Sequence, residues 1–279
     1  MNKLNSKNYC FIIPTYNPNK RFNKVINNIL DLNVKILIFD NNSQFKDYLN
    51  FNHKNIEIKH SKKNLGYAFG VNYFIKKYIS KFDWFCMLDQ DSMLNNNYVG
   101  HIINNFDFGK DNVGLIGTNI KYKNINKNIL KLNMKINFHK KKTLICSGTF
   151  INKNLIEKFG YLKDEFFMEY IDVEYCLRIE KNGYTNYITS FPFLVQEFGN
   201  NEIYKIFGKK ISVDNHKPER YYYRAKNLKY CVKSYFFYSK KETLIHIYNF
   251  FKMYLKIILF EDYKIRKTYL ILKGFLIKT

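Results

Sequence analysis

Short apolar runs alternate with segments of helical periodicity over the first third of the chain. Residues 20–32 and 66–79 carry apolar side chains at helical spacing. The apolar runs of strand length around them are 9–13, 34–39, 56–59 and 84–88. This alternation predicts an α/β fold, with a Rossmann-like, mostly parallel sheet flanked by helices on both faces.

Polar, acidic or glycine-bearing residues follow each of the four predicted strands. These segments are PTYN at 14–17, DNNS at 40–43, NLG at 64–66 and DQDS at 89–92. Loops are polar in general, but the carboxyl ends of parallel strands meet at one edge of a sheet, where ligands bind. The four segments together therefore predict a single site.

The pattern loosens after residue 113 and changes character near the end of the chain. Further strands are expected at 113–118, 144–151, 184–190 and 193–196, and a helix is expected to run from about 171 to Lys181, with Gly183 as its C-cap residue. Three last helices are predicted at 219–237, 241–260 and 263–278. We therefore expect a first domain over 1–215, which carries the predicted site, and a basic helical extension over 216–279.

The composition is that of a globular protein with a strong excess of basic residues. Hydrophobic residues make up 46% and charged residues 25%, and the formal net charge is +23. From residue 201 onward, 18 Lys and Arg face only 6 Asp and Glu. Such a charge favours polyanionic partners, which are nucleic acid, an anionic membrane surface or a phosphorylated substrate.

The five cysteines lie far apart without a C-x-x-C pair, which indicates buried thiols in a reducing compartment. The apolar run before Pro14 is too short for a signal peptide, and no uncharged apolar run reaches the roughly 18 residues of a spanning helix. We therefore expect a cytoplasmic protein, either dissolved or attached to the inner face of the membrane.

Asp89-x-Asp91, directly after the apolar run WFCML, is the sharpest chemical signal. Two carboxylates on a tight turn can share a hard divalent cation that keeps room for substrate phosphates. A solvated acidic turn is the alternative interpretation.

The ordered set of motifs resembles an inverting family 2 glycosyltransferase of the A-type fold, and most closely its rhamnosyltransferase-like branch. The resemblance covers about residues 9–230. The matching segments are IIPTYN at 12–17, FDNNS at 39–43, NLG at 64–66 with Asn72, LDQDS at 88–92, SG at 147–148, FMEYIDVEYCLR at 167–178 and RYYYR at 220–224 with Asn227.

The resemblance implies a nucleotide site at the strand ends. Asp40 is expected to hydrogen-bond the imino N–H of a pyrimidine, and Asp89 to face the ribose and the metal. Asp91 is expected to ligate Mg²⁺ or Mn²⁺ at the diphosphate, where Lewis-acid stabilisation helps the leaving group. The residues expected beside the nucleotide are Thr15, Tyr16, Asn17, Asn64 and Gly66.

An inverting transfer needs a general base for the acceptor hydroxyl and no covalent nucleophile. The resemblance implies an acidic residue at the head of the helix that follows FMEY. Asp172 is the preferred candidate, and Glu169 and Glu174 are rivals within one turn. The helix N-terminus would keep such a carboxylate ionised.

The chain departs from the family where relatives often carry a histidine before x-Leu-Gly. Gln196 occupies that position, so either the phosphate or metal contact is weaker or Glu197 substitutes. Arg220 and Arg224 lie four residues apart on a predicted helix, where they could bind phosphate of the donor or of a lipid-diphosphate acceptor. Ion pairs within the protein are the alternative for these arginines.

The resemblance implies a hexosyl transfer from a dTDP- or UDP-sugar, with L-rhamnose as the first expectation, to a surface glycan or lipid-linked acceptor. Galactofuranose or another hexose remains open. A nucleic-acid-binding protein is the alternative of a different class, but it leaves Asp89-x-Asp91 and Asp172 unexplained, and no specific nucleic acid is expected. The basic, amphipathic segment 241–260 either lies on an anionic membrane or packs its apolar stripe onto the catalytic domain.

Overall fold

The computed structural model describes residues 2–122, 137–196, 202–206 and 209–277. The chain forms two compact units. The first comprises residues 1–167 and 171–197, and the second comprises 168–170 and 198–279. The domain division at residue 215 stays a prediction.

The first unit is built around an eight-stranded, mostly parallel sheet, as the sequence predicts. The strands of its first half are β1 (Tyr9–Thr15), β2 (Lys35–Asp40), β3 (Ile56–His60) and β4 (Trp84–Met87). The later strands of the unit are β5 (Met93–Leu94), β6 (Val113–Gly117), β7 (Ile120–Tyr122), β8 (Phe138–Lys140), β9 (Thr149–Asn152), β10 (Thr185–Thr189) and β11 (Leu194–Gln196). The large sheet has the order β3-β2-β1-β4-β9-β6-β10-β8, and a small sheet has the order β5-β11-β7.

Strands β1 to β4 are parallel to one another, whereas β9 runs antiparallel to both β4 and β6. Pro14 lies inside β1 and pairs with Phe39, beyond the last residue of β1 that pairs with β4. A residue without an N–H is tolerated there, because β4 no longer pairs with β1 at this position and no N–H donor to β4 is required. The carboxyl ends of β1, β2 and β3 therefore reach the same edge of the sheet.

Five helices accompany these strands. They are α1 (Arg21–Leu30), α2 (Tyr67–Tyr78), α3 (Asn97–Asn105), α4 (Lys153–Phe159) and α5 (Ile171–Lys181). The core between sheet and helices is rich in aromatic rings, of which Phe11, Trp84 and Phe150 are fully buried. The sequence analysis predicted α1, α2 and α5 and missed α3 and α4.

One predicted strand is wrong over most of its length. The run 144–151 was expected to be extended, but only Thr149–Asn152 is a strand. Gly148 has a φ of +74°, a left-handed conformation that interrupts the extended chain before β9. The hydroxyl of Ser147 accepts a hydrogen bond from the backbone N–H of Asp89 at 3.1 Å, so the turn supports the residue after β4.

The second unit contains a hairpin and three long helices. Its elements are β12 (Glu202–Ile206), β13 (Lys209–Val213), α6 (Pro218–Tyr235), α7 (Lys240–Phe260) and α8 (Lys264–Leu276). The sequence predicted the helices within a few residues and missed the hairpin. Tyr221 and Leu228 of α6, Phe250 and Ile257 of α7 and Ile271 of α8 form the core of this unit.

Within the described residues, α7 is the one helix that is long and apolar enough to cross a membrane, judged by length and composition. A buried helix of a soluble protein passes the same test. Lys252 and Lys256 interrupt the apolar run of α7, so the sequence did not indicate a spanning helix there. Only 17% of its most apolar stretch is buried.

Candidate active site

Three polar side chains stand in register across the carboxyl ends of β1, β2 and β3. Thr15 pairs with Asp40, and Asp40 pairs with His60. Asp40 is fully buried, and its carboxylate accepts hydrogen bonds from the backbone N–H of Ser43 at 2.9 Å and from Nδ1 of His60 at 2.8 Å. His60 itself is exposed.

This pair changes the expectation for Asp40. His60 is the exposed side chain of the pair. A pyrimidine base placed at this edge would therefore contact the imidazole before the buried carboxylate of Asp40. Because Nδ1 donates to Asp40, Nε2 of a neutral imidazole is left as an acceptor. The sequence analysis missed His60, although it is the last residue of β3 and could have been found by the rule applied to the other strands.

The segments after β1 and β2 are tied together by backbone-to-side-chain hydrogen bonds. The N–H of Asn17 donates to the hydroxyl of Ser43 at 2.8 Å, and Oδ1 of Asn17 accepts from the N–H of Gln44 at 2.8 Å. Tyr16 has 46% of its surface exposed, and its N–H donates to Oε1 of Gln90 at 2.8 Å. The backbone of Tyr16 is thus tied to the segment after β4, and its side chain is half exposed.

Asn64 and Gly66 shape the start of α2. Oδ1 of Asn64 accepts a hydrogen bond from the N–H of Gly66 at 3.0 Å. Gly66 has a φ of +88°, and a Cβ there would lie 2.6 Å from the carbonyl oxygen of Phe167. The close approach that requires glycine is therefore to the backbone of Phe167, which also accepts a hydrogen bond from the N–H of Tyr67 at 2.8 Å.

Asp89, Asp91 and Asp172 form an acidic cluster. Burial raises the pKa of Asp89, and the charges of Asp91 and Asp172 raise it further, to about 7. The hydrogen bond from Gln196 and the nearby hydroxyl of Tyr67 act in the opposite direction. The structure thus places the D-x-D segment within electrostatic reach of Asp172, the candidate base.

Gln196 contacts the same cluster. Its Nε2 donates to Oδ2 of Asp89 at 3.1 Å and to the hydroxyl of Ser92 at 2.6 Å. The strand that carries it, β11, pairs with β5, which follows the D-x-D turn. Glu197, named as a possible substitute, lies outside the described residues.

Tyr67 was missed by the sequence analysis. Burial raises its pKa, and the nearby Cys146, Asp89 and Asp172 raise it further, so the phenol stays protonated. Its hydroxyl makes no hydrogen bond of ordinary geometry within the described residues, although it lies close enough to Asp89 to lower the pKa of that carboxyl. A lone tyrosine at the start of a helix gives no signal in the sequence.

Glu174 and Glu169, the alternative candidates for the general base, both form ion pairs. Glu174 is buried and pairs with Arg178, which also donates to the carbonyls of Phe159 and Tyr161 at 2.9 Å each. Asp172 is half-buried near the N-terminus of α5, and its Oδ1 accepts from the N–H of Val173 at 2.8 Å. Its charge reaches Asp89 and Tyr67.

Glu169 lies in the second unit, between Arg220 and Arg224. Arg220 pairs with one carboxylate oxygen, and Nε of Arg224 lies 2.7 Å from the other. Burial raises the pKa of Glu169, but the two guanidinium groups outweigh burial and lower that pKa to about 2, which makes Glu169 a poor base. The arginines therefore occupy the ion pairs that the sequence analysis left open, and phosphate binding by them stays a prediction.

The acidic cluster suits a divalent cation that also binds a diphosphate. Within the described residues no group of three or more His, Cys, Asp or Glu side chains has the geometry of a metal site made by protein alone. Mg²⁺ is commonly held by one or two carboxylates plus substrate phosphates, and the mutual repulsion of Asp89, Asp91 and Asp172 is what a cation relieves. Asp89 and Asp91 thus fit such an ion.

Comparisons with known proteins agree with this geometry. Residues 10–170 match the family described as Glycosyl transferase family 2. The chain is 29% identical over 248 residues to dTDP-rhamnosyl transferase RfbF of Shigella flexneri, covering 80% of this chain and 79% of that one.

Solved structures of similar fold include TarS 1-349 of S. aureus, with a TM-score of 0.61 at 14% identity over 96% of this chain and 80% of that one. A structure of the same protein with UDP-GlcNAc has a TM-score of 0.56 at 13% identity, covering 96% of this chain and 79% of that one. GalNAc-T7 with UDP, GalNAc and Mn²⁺ has a TM-score of 0.59 at 10% identity, over 85% of this chain and 51% of that one. These similarities confirm the predicted fold.

Proposed function

Because the chain belongs to glycosyltransferase family 2, we propose that it transfers L-rhamnose from dTDP-rhamnose, with inversion, to a hydroxyl of a growing glycan or lipid-linked acceptor. The chain is a glycosyltransferase that uses a nucleotide-sugar donor. The observation that supports rhamnose is the similarity to a dTDP-rhamnosyl transferase over four fifths of both chains.

The donor nucleotide is proposed to lie along the ends of β1, β2 and β3. Tyr16 offers an exposed ring for the base, and the exposed His60 offers Nε2 to an imino N–H. Asp89 and Asp91 would hold Mg²⁺ or Mn²⁺ at the diphosphate, where the ion stabilises the charge of the leaving group.

Asp172 is proposed as the general base. In a single displacement it takes the proton of the acceptor hydroxyl while that oxygen attacks the anomeric carbon from the face opposite the nucleotide. The charge of Asp172 acts on Asp89, whereas Glu169 is held by Arg220 and Arg224 and Glu174 by Arg178.

A donor screen tests this function. Release of nucleoside diphosphate should be measured from dTDP-rhamnose, UDP-galactofuranose, UDP-glucose and UDP-GlcNAc, with Mn²⁺ and with EDTA. We expect the fastest release from dTDP-rhamnose with Mn²⁺. Faster release from a UDP-sugar would identify that sugar, and not rhamnose, as the donor. Turnover that EDTA leaves unchanged would show that the reaction does not depend on a divalent metal ion.

The same screen separates the enzyme from a nucleic-acid-binding protein. If no donor is turned over and neither dTDP nor UDP stabilises the protein thermally, while DNA is shifted in a salt-dependent way, the glycosyltransferase proposal fails.

A further inference from the structure

The last two helices each carry an exposed apolar stripe, and we call the two together the C-terminal apolar surface. Its members on α7 are Leu244, Ile245, Tyr248, Phe251, Leu255, Ile258 and Leu259, with 43% to 62% of their surfaces exposed. Its members on α8 are Ile265, Tyr269, Leu272 and Leu276, with 56% to 88% exposed. Most of these positions recur at spacings of three, four and seven, so each set lies on one face of its helix.

The opposite face of each helix is already used for packing within the second unit. Thr243, Phe250 and Ile257 of α7 are buried at intervals of seven residues. On α8, Ile271 and Gly274 are buried, and a Cβ on Gly274 would lie 2.5 Å from the carbonyl oxygen of Tyr222. The unit therefore has a core of its own, and the C-terminal apolar surface is additional to it.

Two exposed aromatic residues precede α7 in the chain. Phe237 has 96% and Tyr238 has 40% of its surface exposed just before α7. A soluble monomer seldom exposes so many large apolar side chains along one helix face, and such stripes mark interaction sites.

Basic side chains border the surface. Between residues 240 and 277 there are eight Lys and Arg and three Asp and Glu. Lys241 and Lys252 are exposed and lie eleven residues apart, so they fall on the same edge of α7. The ammonium of Lys252 lies 5.5 Å from the ring centre of Tyr248.

A shallow groove lies where the basic edge meets the apolar stripe. It has a volume of about 550 Å³ and is lined by Lys240, Lys241, Leu244, Ile245 and Tyr248. Ammonium groups beside an apolar floor with an aromatic ring are complementary to a lipid, whose head group is anionic and whose chains are apolar.

We propose that the C-terminal apolar surface lies in the plane of an anionic membrane, with α7 parallel to the bilayer. The arrangement of a stripe of Leu, Ile, Phe and Tyr bordered by lysines is that of an interfacial helix. This inference is independent of the proposed donor and acceptor.

Crossing of the bilayer by α7 fits the structure less well. Lys252 and Lys256 would lie near the middle of the helix, and Nζ of Lys256 donates to the carbonyl oxygen of Ser212 at 2.7 Å. A spanning helix would also have to withdraw Phe250 and Ile257 from the core of the second unit.

A second copy of the chain is also less suitable as the occupant. A two-fold interface places the same patch of both copies together, so one net basic surface would face another. An anionic bilayer instead supplies the opposite charge along the whole surface.

The test is co-sedimentation of the full chain with vesicles of phosphatidylcholine alone and of phosphatidylcholine with phosphatidylglycerol, at low and high salt. We expect binding to the anionic vesicles at low salt that weakens as salt rises, because charge contributes. The triple variant Tyr248→Ser, Phe251→Ser, Leu255→Ser should bind at least tenfold more weakly at both salt concentrations.

Charge is tested by Lys241→Gln with Lys252→Gln. Each lysine contributes about fivefold to partitioning at low salt, equivalent to about 1 kcal/mol, so removal of both should lower partitioning by roughly 25-fold. The matched control is Lys24→Gln with Lys54→Gln, which removes two exposed lysines of the first unit and should leave binding unchanged.

Three outcomes would overturn the proposal. The full chain could stay in the supernatant with anionic vesicles at low salt, or the control pair could lose as much binding as the α7 pair. Alternatively, light scattering could show a dimer that the triple variant converts to a monomer, which would assign the surface to a second copy. Donor turnover in vesicle-free buffer and a circular dichroism spectrum like that of the parent would show that each variant is folded.

Discussion

At the scale of single residues, the proposed reaction depends on the carboxylate of Asp172 as the general base. Asp172→Asn preserves size and polarity but removes the base, so donor binding should persist while transfer falls by about two to four orders of magnitude. Calorimetry with dTDP and initial rates of transfer measure the two effects separately.

Glu174→Gln is the matched control for Asp172→Asn. Glu174 is buried against Arg178, so its loss should destabilise the fold by about 3 kcal/mol and leave the activity of the folded fraction intact. Equal loss of donor binding and transfer in Asp172→Asn would instead indicate a structural role.

His60 provides a second prediction at this scale. If Nε2 accepts the imino N–H of the base, His60→Phe should weaken donor binding by roughly fivefold, the scale of one neutral hydrogen bond, with kcat unchanged. His139→Phe is the control, because β8 lies at the opposite edge of the sheet from β3. Unchanged affinity in His60→Phe, together with a loss in Asp40→Asn, would return base recognition to Asp40 alone.

Residues that follow strands could be predicted from the sequence, and residues that act through long-range contacts could not. Asp40, Asp89 and Asp91 were named as candidates because each lies at or just after the end of a strand, at the edge of the sheet where ligands bind. Tyr67 and the partners of Glu169 were not found, since both depend on contacts between segments far apart in the chain.

At the scale of elements, the segment before α5 is held by an arginine clamp. Asn227 donates to the carbonyls of Met168 and Glu169 at 2.8 Å each, and Arg220 and Arg224 bind the Glu169 carboxylate. Glu169 and Tyr170 have positive φ, a strained backbone conformation beside the carbonyls and the carboxylate that these contacts hold.

The clamp predicts a pH-dependent stability. Because the pKa of Glu169 is lowered to about 2 in the fold, its stabilisation is complete above about pH 5 and is lost as the pH falls toward 2. Glu169→Gln should lower the free energy of unfolding by about 2 kcal/mol at pH 7, after allowance for the partly exposed Arg220, and by less at pH 4.

Urea denaturation at pH 7 and pH 4 measures this difference. Glu165→Gln is the control, because the Glu165 carboxylate is 59% exposed and its ion pair with Lys163 spans 3.3 Å. The same loss at both pH values for Glu169→Gln would contradict the clamp.

The packing of α8 gives another prediction at this scale. In Gly274→Ala the new methyl group would overlap the carbonyl oxygen of Tyr222, so the variant should lose about 1–3 kcal/mol of stability. Gly100→Ala is the control: its Cβ meets nothing within 4 Å, and the helix propensity of alanine should make it neutral or stabilising. Thermal denaturation compares the two, and equal melting temperatures would refute close packing at Gly274.

Helices and strands with clear periodicity were predicted within a few residues, and the short elements were missed. The strands of the hairpin β12–β13 (EIYKI and KKISV) carry lysines among few apolar residues, and helix α4 has only seven residues, so neither shows a clear pattern. The expected strand at 144–151 failed because Gly148, inside an apolar run, takes a left-handed conformation that only the contacts of the turn reveal.

At the scale of the whole molecule, charge and chemistry are distributed unequally. The acidic cluster lies in the first unit, whereas the second unit carries all 18 Lys and Arg from residue 201 onward and the exposed apolar stripes. The net charge of +23 therefore does not require a nucleic-acid partner, because a nucleotide-sugar and an anionic bilayer are both polyanionic ligands.

The most direct test of the account is the binding of dTDP by the full chain, measured by titration calorimetry with Mn²⁺ and with EDTA. The parent should bind at least tenfold more tightly with Mn²⁺, and Asp91→Ala should bind with one weak affinity under both conditions while its melting temperature stays unchanged. Binding by the parent that is equally tight in EDTA, or an Asp91→Ala variant that keeps the gain from Mn²⁺, would contradict a diphosphate held through a cation at Asp89 and Asp91.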